Sequence, residues 1–218
     1  MESKNLSLHH IIRPSSLKEK APLLVMLHGY GSDENDLFSF ASELPKELFI
    51  ISAKAPYQMQ PYGNAWYTIH FEAPQGKWND TEQAIISRDT IAKFIDEACK
   101  TYPIDANNVT LLGFSQGTIL SYAVALTYPK KVKNVIALSG YIDKNMLSND
   151  LPIDHYKHLN VYASHGSADQ VIPVEWARQN GPYLEKLNIN HTYSEFPVGH
   201  GVAPQNFYEL KAWLDTYI

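Results

Sequence analysis

The sequence predicts an α/β fold: a mostly parallel central sheet with helices on both faces. Three observations predict it. Short apolar runs alternate with longer segments of helical period along most of the chain. The inner runs are nearly continuous hydrophobics, as strands are when both faces of a sheet are covered. Each run also ends at glycine or proline, where a strand gives way to a loop or a helix.

The first expected strand is residues 23–27, within PLLVMLHGYG (22–31), stopped by Gly29 and Gly31. LFIISAKAP (48–56) supplies the second and ends at Pro56, and NVTLLGFSQG (108–117) supplies the third. NVIALSG (134–140) and LNVYASHG (159–166) follow as the fourth and fifth. HTYSEF (191–196) alternates in polarity, which places it at a sheet edge.

Helices fit between these runs. Asp80 with Gln83 forms a capping box, after which Ala84, Ile91, Ile95 and Ala98 recur on one face. A second helix starts at Gln116, directs Ile119, Leu120, Ala123 and Val124 inward, and stops before Pro129. Pro173 suits the first turn of another helix, which Gly181-Pro182 must break or kink. Phe207, Leu210, Leu214 and Tyr217 give the chain a final amphipathic helix.

Residues 56–79 break the alternation. They hold Tyr57, Tyr62, Trp66, Tyr67, Phe71 and Trp78 among prolines and glycines, and are expected to form a long ordered excursion. Long loops in compact domains tend to be functional. No repeat, low-complexity tract or linker interrupts the chain, so residues 1–218 read as one domain.

Composition excludes several classes. Apolar residues make up 44% and charged residues 19% of the 218, which is ample for a core. A net charge of -5 without a basic run argues against a nucleic-acid surface. The lone Cys99 cannot form an intramolecular disulfide and suits a reducing compartment. The N-terminal residues lack the apolar core of a signal peptide, and no run is long enough to span a membrane. A cytoplasmic protein is expected, in which the Asn-x-Ser/Thr triplets at Asn5, Asn79, Asn108 and Asn190 carry no glycan.

The chemistry is written most plainly at residues 113–117. Gly-Phe-Ser-Gln-Gly matches the G-x-S-x-G elbow, and it has the required strand before it and helix after it. That strained turn exposes the Ser115 hydroxyl at a helix N-terminus, and the glycines prevent backbone clashes. A serine hydroxyl needs a base to take its proton, and the base needs an orienting acid. Asp169, in SHGSADQVIP (164–173), and His200, in VGHGVAP (198–204), follow in the order Ser, Asp, His, each in a loop after a strand. Asp143, after the fourth strand, is the reserve acid.

The other histidines suit structural roles. His9 and His10 lie in a polar N-terminal region and are expected to be solvated. His28 and His165 end strands in His-Gly pairs and are expected to pack or hydrogen-bond locally. His155, His158 and His191 read as surface residues. No pair of these has metal-ligand spacing on one helix, so neither metal nor cofactor is expected. An oxyanion hole needs two backbone N–H groups. The N–H of Gln116 is one candidate, and Tyr30, in HGYGSDEND (28–36), offers the other, unless Gly29 and Gly31 simply make a turn there.

HGYG, GFSQG, ADQVIP and GHG, in this order and at these spacings, resemble the phospholipase/carboxylesterase family, which includes the acyl-protein thioesterases. The resemblance runs from about Pro22 to the C-terminus and implies a single α/β-hydrolase domain. It makes Ser115 the nucleophile, Asp169 the acid and His200 the base, with Tyr30 and Gln116 at the oxyanion hole. AWY (65–67) resembles the family's stretch beside the acyl site, so Trp66 and Tyr67 are expected to contact substrate. The chain departs from the pattern at Thr118, where a second glycine is usual, and at Thr68, where aspartate is. The loop at 32–40 looks more like those of small bacterial esterases.

The leading expectation is a serine hydrolase cleaving small carboxylic esters of short to medium acyl length. The same machinery serves thioesterases, lysophospholipases and peptidases, and a ligand-binding protein can also be built on a hydrolase scaffold. The aromatic residues of 57–78 read either as an acyl-site wall or as a cluster packed under a loop, and exposed ones would suit a homodimer face.

Overall fold

Seven strands form the main sheet of the computed structural model, which describes residues 2–71, 78–148 and 152–218. They are β1 (His10–Arg13), β2 (Ala21–Leu27), β3 (Phe49–Ala53), β4 (Ile104–Phe114), β5 (Asn134–Leu138), β6 (Asn160–Gly166) and β7 (Asn190–Phe196). Their order is β1-β3-β2-β4-β5-β6-β7. Every neighbouring pair is parallel except β1 with β3. Residues 72–77 of the aromatic excursion and the side chain of Trp78 lie outside the described residues.

Side chains of successive residues leave opposite faces of a strand, and here both faces are buried. In β2, Leu23, Val25 and Leu27 join one apolar cluster while Leu24 and Met26 join another across the sheet. The first cluster is roofed by α1 (Thr81–Thr101) through Ala84, Ile91, Ile95 and Ala98, and by α2 (Gln116–Thr127). The second is covered by α5 (Pro204–Tyr217) through Leu210 and Leu214, and by a 3-10 helix over Leu37–Glu43. All twelve residues of α2 are buried, which fits its short, uncharged sequence. Burying each large aliphatic side chain contributes roughly 1.5–3 kcal/mol before entropy is subtracted.

The predicted helix signals act locally. The Asp80 carboxylate accepts the Gln83 N–H at 3.0 Å and caps α1. The return half of the box is absent, because Gln83 Oε1 instead accepts the N–H and hydroxyl of Thr68, at 2.9 and 3.0 Å. Pro173 caps α3 (Val174–Arg178), and the chain breaks at Gln179 before resuming as α4 (Asn180–Lys186). The excursion contributes two small antiparallel pairs, Tyr57–Gln58 with Asn64–Ala65 and Ile69–His70 with Trp78–Asn79. The HTYSEF strand sits at the sheet edge, as its alternation predicts.

One expectation fails at the N-terminus. His10 is buried rather than solvated, and begins the antiparallel edge strand β1. Its ring nitrogens lie 2.9 Å from Leu8 O and 2.7 Å from Tyr102 Oη, and burial pushes its pKa down. Four residues leave too little pattern to see this strand in advance. His9 does stay largely exposed, 3.3 Å from Glu34 Oε1.

This topology fixes where a site can form. The chain runs from β2 outward to β3, then crosses back to β4 on the other flank of β2. Loops leaving adjacent strands in opposite directions open a crevice at the strands' carboxyl ends. Leu27 pairs with Gly113 there, so the loop after β2 faces the turn after β4. Among the described residues, no helix is long and apolar enough to cross a membrane.

Candidate active site

Strand β4 ends at Phe114, helix α2 begins at Gln116, and Ser115 alone makes the turn between them. Its backbone is at φ 54° and ψ -115°, a conformation that costs a non-glycine residue about 1–3 kcal/mol. The neighbouring glycines make the turn possible. A Cβ on Gly113 would collide with the Gly117 carbonyl, and one on Gly117 with the Leu27 carbonyl. Strand, turn and helix are packed so closely that only hydrogen fits.

Asp169 and His200 come from the loops after β6 and β7. His200 Nδ1 lies 2.7 Å from Asp169 Oδ2, while Asp169 Oδ1 accepts the N–H groups of Val171 and Ile172 at 2.8 and 2.9 Å. Burial alone would push the Asp169 pKa up. The His200 hydrogen bond and the two amides outweigh it and hold the carboxyl below its ordinary 3.8. The His200 ring packs against Phe114, centroids 4.9 Å apart, one residue from Ser115. Ser115 and His200 line one cavity, with no direct hydrogen bond between them among the described residues. Such contacts are often long without substrate and tighten on binding.

The loop after β2 makes a turn in which the Ser32 N–H reaches Gly29 O at 3.3 Å. Gly31, at φ 78°, takes the left-handed position that a type II turn requires. This turn does not use the Tyr30 N–H. Gln116 is the first residue of α2, where a backbone N–H has no acceptor within the helix. Both Tyr30 and Gln116 line the cavity with Ser115.

Buried side chains brace these amides. The Gln116 side chain donates to Tyr67 O at 2.8 Å and accepts the Trp66 N–H at 2.7 Å. The Trp66 indole N–H donates to His28 O at 3.0 Å, at the end of β2. The Asn64 backbone adds to this, its carbonyl accepting the Gly31 N–H at 2.9 Å and its N–H donating to Ser32 O at 2.8 Å. The excursion thus ties the elbow to the glycine turn.

The cavity measures about 330 Å³ and is walled by Ile69, Phe71, Ile119, Tyr141, Val171 and Trp176 around the polar group. Tyr67 reaches its wall. Trp66, expected to contact substrate, does not: it is 0% exposed and packed beneath the cavity, where its N–H groups are consumed as braces. Phe71, Val171 and Trp176 stand at the mouth, 57%, 52% and 44% exposed. Composition alone did not single out Tyr141, Val171 or Trp176, although Val171 lies two residues from Asp169. Asp143 instead caps a short 3-10 turn through the Asn145 N–H, and the carboxylate that His200 Nδ1 meets is Asp169. Cys99 is no rival nucleophile, since burial pushes its thiol up to about 11. Among the described residues, no group of three His, Cys, Asp or Glu could hold a metal ion.

Residues 9–218 match the family model of the phospholipase/carboxylesterases. The chain belongs to that family. As a member of the phospholipase/carboxylesterase family it is a carboxylesterase-type hydrolase, acting on esters. It is similar to acyl-protein thioesterase 1 of Mycosarcoma maydis, 26% identical over 237 residues, with 95% of this chain and 96% of that protein covered. It is also similar to lysophospholipase-like protein 1 of Mus musculus, 27% identical over 209 residues, covering 88% and 85%. Among solved structures, the Bacillus cereus carboxylesterase superposes with a TM-score of 0.83 at 22% identity, covering 98% and 96%, a likeness of fold.

At Thr118, one of the two departures from the usual pattern, the threonine side chain is accommodated by its neighbours. Thr118 Oγ1 lies 2.6 Å from Gly113 O and 2.7 Å from Leu138 O. Its bulk is received by Gly140, where a Cβ would fall 2.5 Å from Thr118 Cγ2. Thr68, the other departure, is spent on the Gln83 bonds that hold the excursion to α1.

Proposed function

We propose that this hydrolase cleaves carboxylic esters of short to medium acyl length through an acyl-enzyme on Ser115. His200 Nε2 takes the Ser115 proton as Oγ adds to the ester carbonyl. Asp169 holds the imidazole by its Nδ1–H and stabilises the imidazolium as it forms. The N–H groups of Tyr30 and Gln116 receive the oxyanion. The imidazolium then gives its proton to the departing alkoxide, which leaves as the alcohol. Water repeats the sequence: His200 takes a proton from it, hydroxide adds to the acyl carbon, and the acid leaves as Ser115 recovers its proton. As written, the sequence needs no cofactor.

The observation that carries the reading is the His200 Nδ1–Asp169 Oδ2 pair, 2.7 Å apart, whose imidazole shares one cavity with an elbow serine. The cavity volume supports small substrates, since about 330 Å³ is near the lower end of ligand pockets. Hydrolysis of an ester series of increasing acyl length tests it. Activity that peaks at short or medium chains and vanishes in Ser115→Ala supports the reading. Full activity in that variant overturns it, and a wild type that ignores fluorophosphonates while binding ligand favours a binding protein.

A thioester reading has one observation behind it, the nearly end-to-end similarity to a relative named acyl-protein thioesterase 1. Matched oxygen and sulfur esters of one acyl chain separate the two by their kcat/KM ratio.

A further inference from the structure

Tyr67 brings to the cavity wall a polar atom that the mechanism above does not use. The residue is 0% exposed, and its hydroxyl is buried with no hydrogen-bond partner among the described residues. Tyr141 and Gln116 both act on that hydroxyl and are themselves wall residues, so it lies at the cavity end of the ring. Gln116 favours the ionised phenol, as a donor does, so its amide can use only the oxygen's lone pairs. Its Oε1 is taken by the Trp66 N–H. Burial pushes the Tyr67 pKa well above 10, with Tyr141 and Asp143 adding to the shift, so the phenol keeps its hydrogen. What remains is a buried O–H without an acceptor. A second phenol lines the same cavity. Tyr141 Oη accepts the Asn79 side-chain N–H at 3.1 Å, and its own hydrogen has no acceptor among the described residues.

We propose that the Tyr67 hydroxyl is the donor of a substrate subsite, and that the esters cleaved here carry an uncharged oxygen besides the ester group: an ether, hydroxyl or carbonyl. The proposal rests on the acyl-enzyme reading given above and narrows its substrate class. A buried donor left unpaired is costly, and folded proteins leave few of them. Phenylalanine would fill the same space without that cost, which is offset when an acceptor enters the cavity. Charge decides which acceptor. Asp36 lines the cavity, and Asp143 acts on both phenols. No lysine or arginine is among the described lining residues. A carboxylate or phosphate would therefore meet like charge with no cation to balance it, whereas a neutral oxygen would not.

The test compares pairs of esters in which one ether oxygen replaces one CH2, scanned from the third carbon outward along the acyl chain and then along the alcohol. Each pair is read as a ratio of kcat/KM, oxygen ester over carbon isostere, in wild type and in Tyr67→Phe. Dividing the wild-type ratio by the variant's cancels the intrinsic reactivity of each ester. We expect one oxygen position at which the wild-type ratio exceeds the Tyr67→Phe ratio by about tenfold, the size of one neutral hydrogen bond. The Tm of Tyr67→Phe should equal or exceed that of wild type, because no bond within the protein is lost. Equal ratios at every position overturn the proposal. So does a variant that melts clearly below wild type or fails to fold, which places the hydroxyl's bond inside the fold. Full hydrolysis of both esters by Ser115→Ala is a separate result that sinks the acyl-enzyme reading, whereas equal ratios with Ser115 required sink only this subsite.

Discussion

On one side of Ser115, Asp169 and His200 meet through side-chain bonds in two loops. On the other, the amides of Tyr30 and Gln116 are set by backbone geometry and braced from behind by Asn64, Trp66 and the Gln116 side chain. In the proposed mechanism the first arm works with atoms that gain and lose protons. The second works with amide N–H groups that do not titrate in water. Damage to the two arms should therefore look different. A fault in the acid–base arm changes how rate depends on pH, whereas a fault in the oxyanion arm lowers the rate by one factor at every pH.

Asp169→Asn tests that contrast with the largest expected effect. An amide in place of the carboxylate favours the wrong imidazole tautomer, and kcat should fall by about 10⁴ near neutral pH. The wild-type profile follows the same logic. Asp169 is held below the ordinary carboxyl range, so it is already ionised where the imidazole titrates. Its depressed pKa contributes stability that is present above the unfolded value and lost only as pH falls through the lower folded value. In the proposed mechanism the acid limb of activity therefore belongs to His200, and rate should climb with pH between about 5 and 8. A flat profile in a protein that remains folded would remove His200 as the base.

Trp66→Phe sharpens the other half. It keeps an aromatic ring but deletes the indole N–H that holds His28 O, and leaves that buried carbonyl without its donor. We expect kcat to drop by about 10-fold to 10²-fold, with KM and the position of the acid limb unchanged. A moved limb would mean that the arms are not separable. Trp176→Ala should have the smallest effect. The ring is 44% exposed and meets Tyr141 edge-on, centroids 5.0 Å apart, so stability should change by less than about 1 kcal/mol. KM should rise several-fold for the longest ester hydrolysed, and barely for acetate esters.

The two arms also differ in how legible they are in the sequence. The inner strands show because continuous apolar runs such as residues 23–27 leave few other options, and Ser115 shows because its turn demands glycine on both sides. Asp169 and His200 show by order along the chain. The braces do not. Trp66 and Gln116 are 50 residues apart, and nothing local to either reveals that the tryptophan N–H groups are spent on the elbow and on β2. An aromatic-rich excursion advertises a pocket wall, yet its Trp66 ring faces inward, and the mouth is finished by Val171 and Trp176 from elsewhere. His10 was hidden for a related reason, since its partner, Tyr102, is set by the fold. Hydrogen bonds between distant residues leave no period to read.

The central claim is that Ser115 is the atom source of the acyl-enzyme, and mapping the site of covalent modification tests it most directly. Wild-type protein treated with a fluorophosphonate, digested and sequenced by mass spectrometry should carry one adduct, on Ser115, formed far more slowly in Asp169→Asn. An adduct on any other residue, with Ser115 unmodified and ester hydrolysis blocked, would contradict the account.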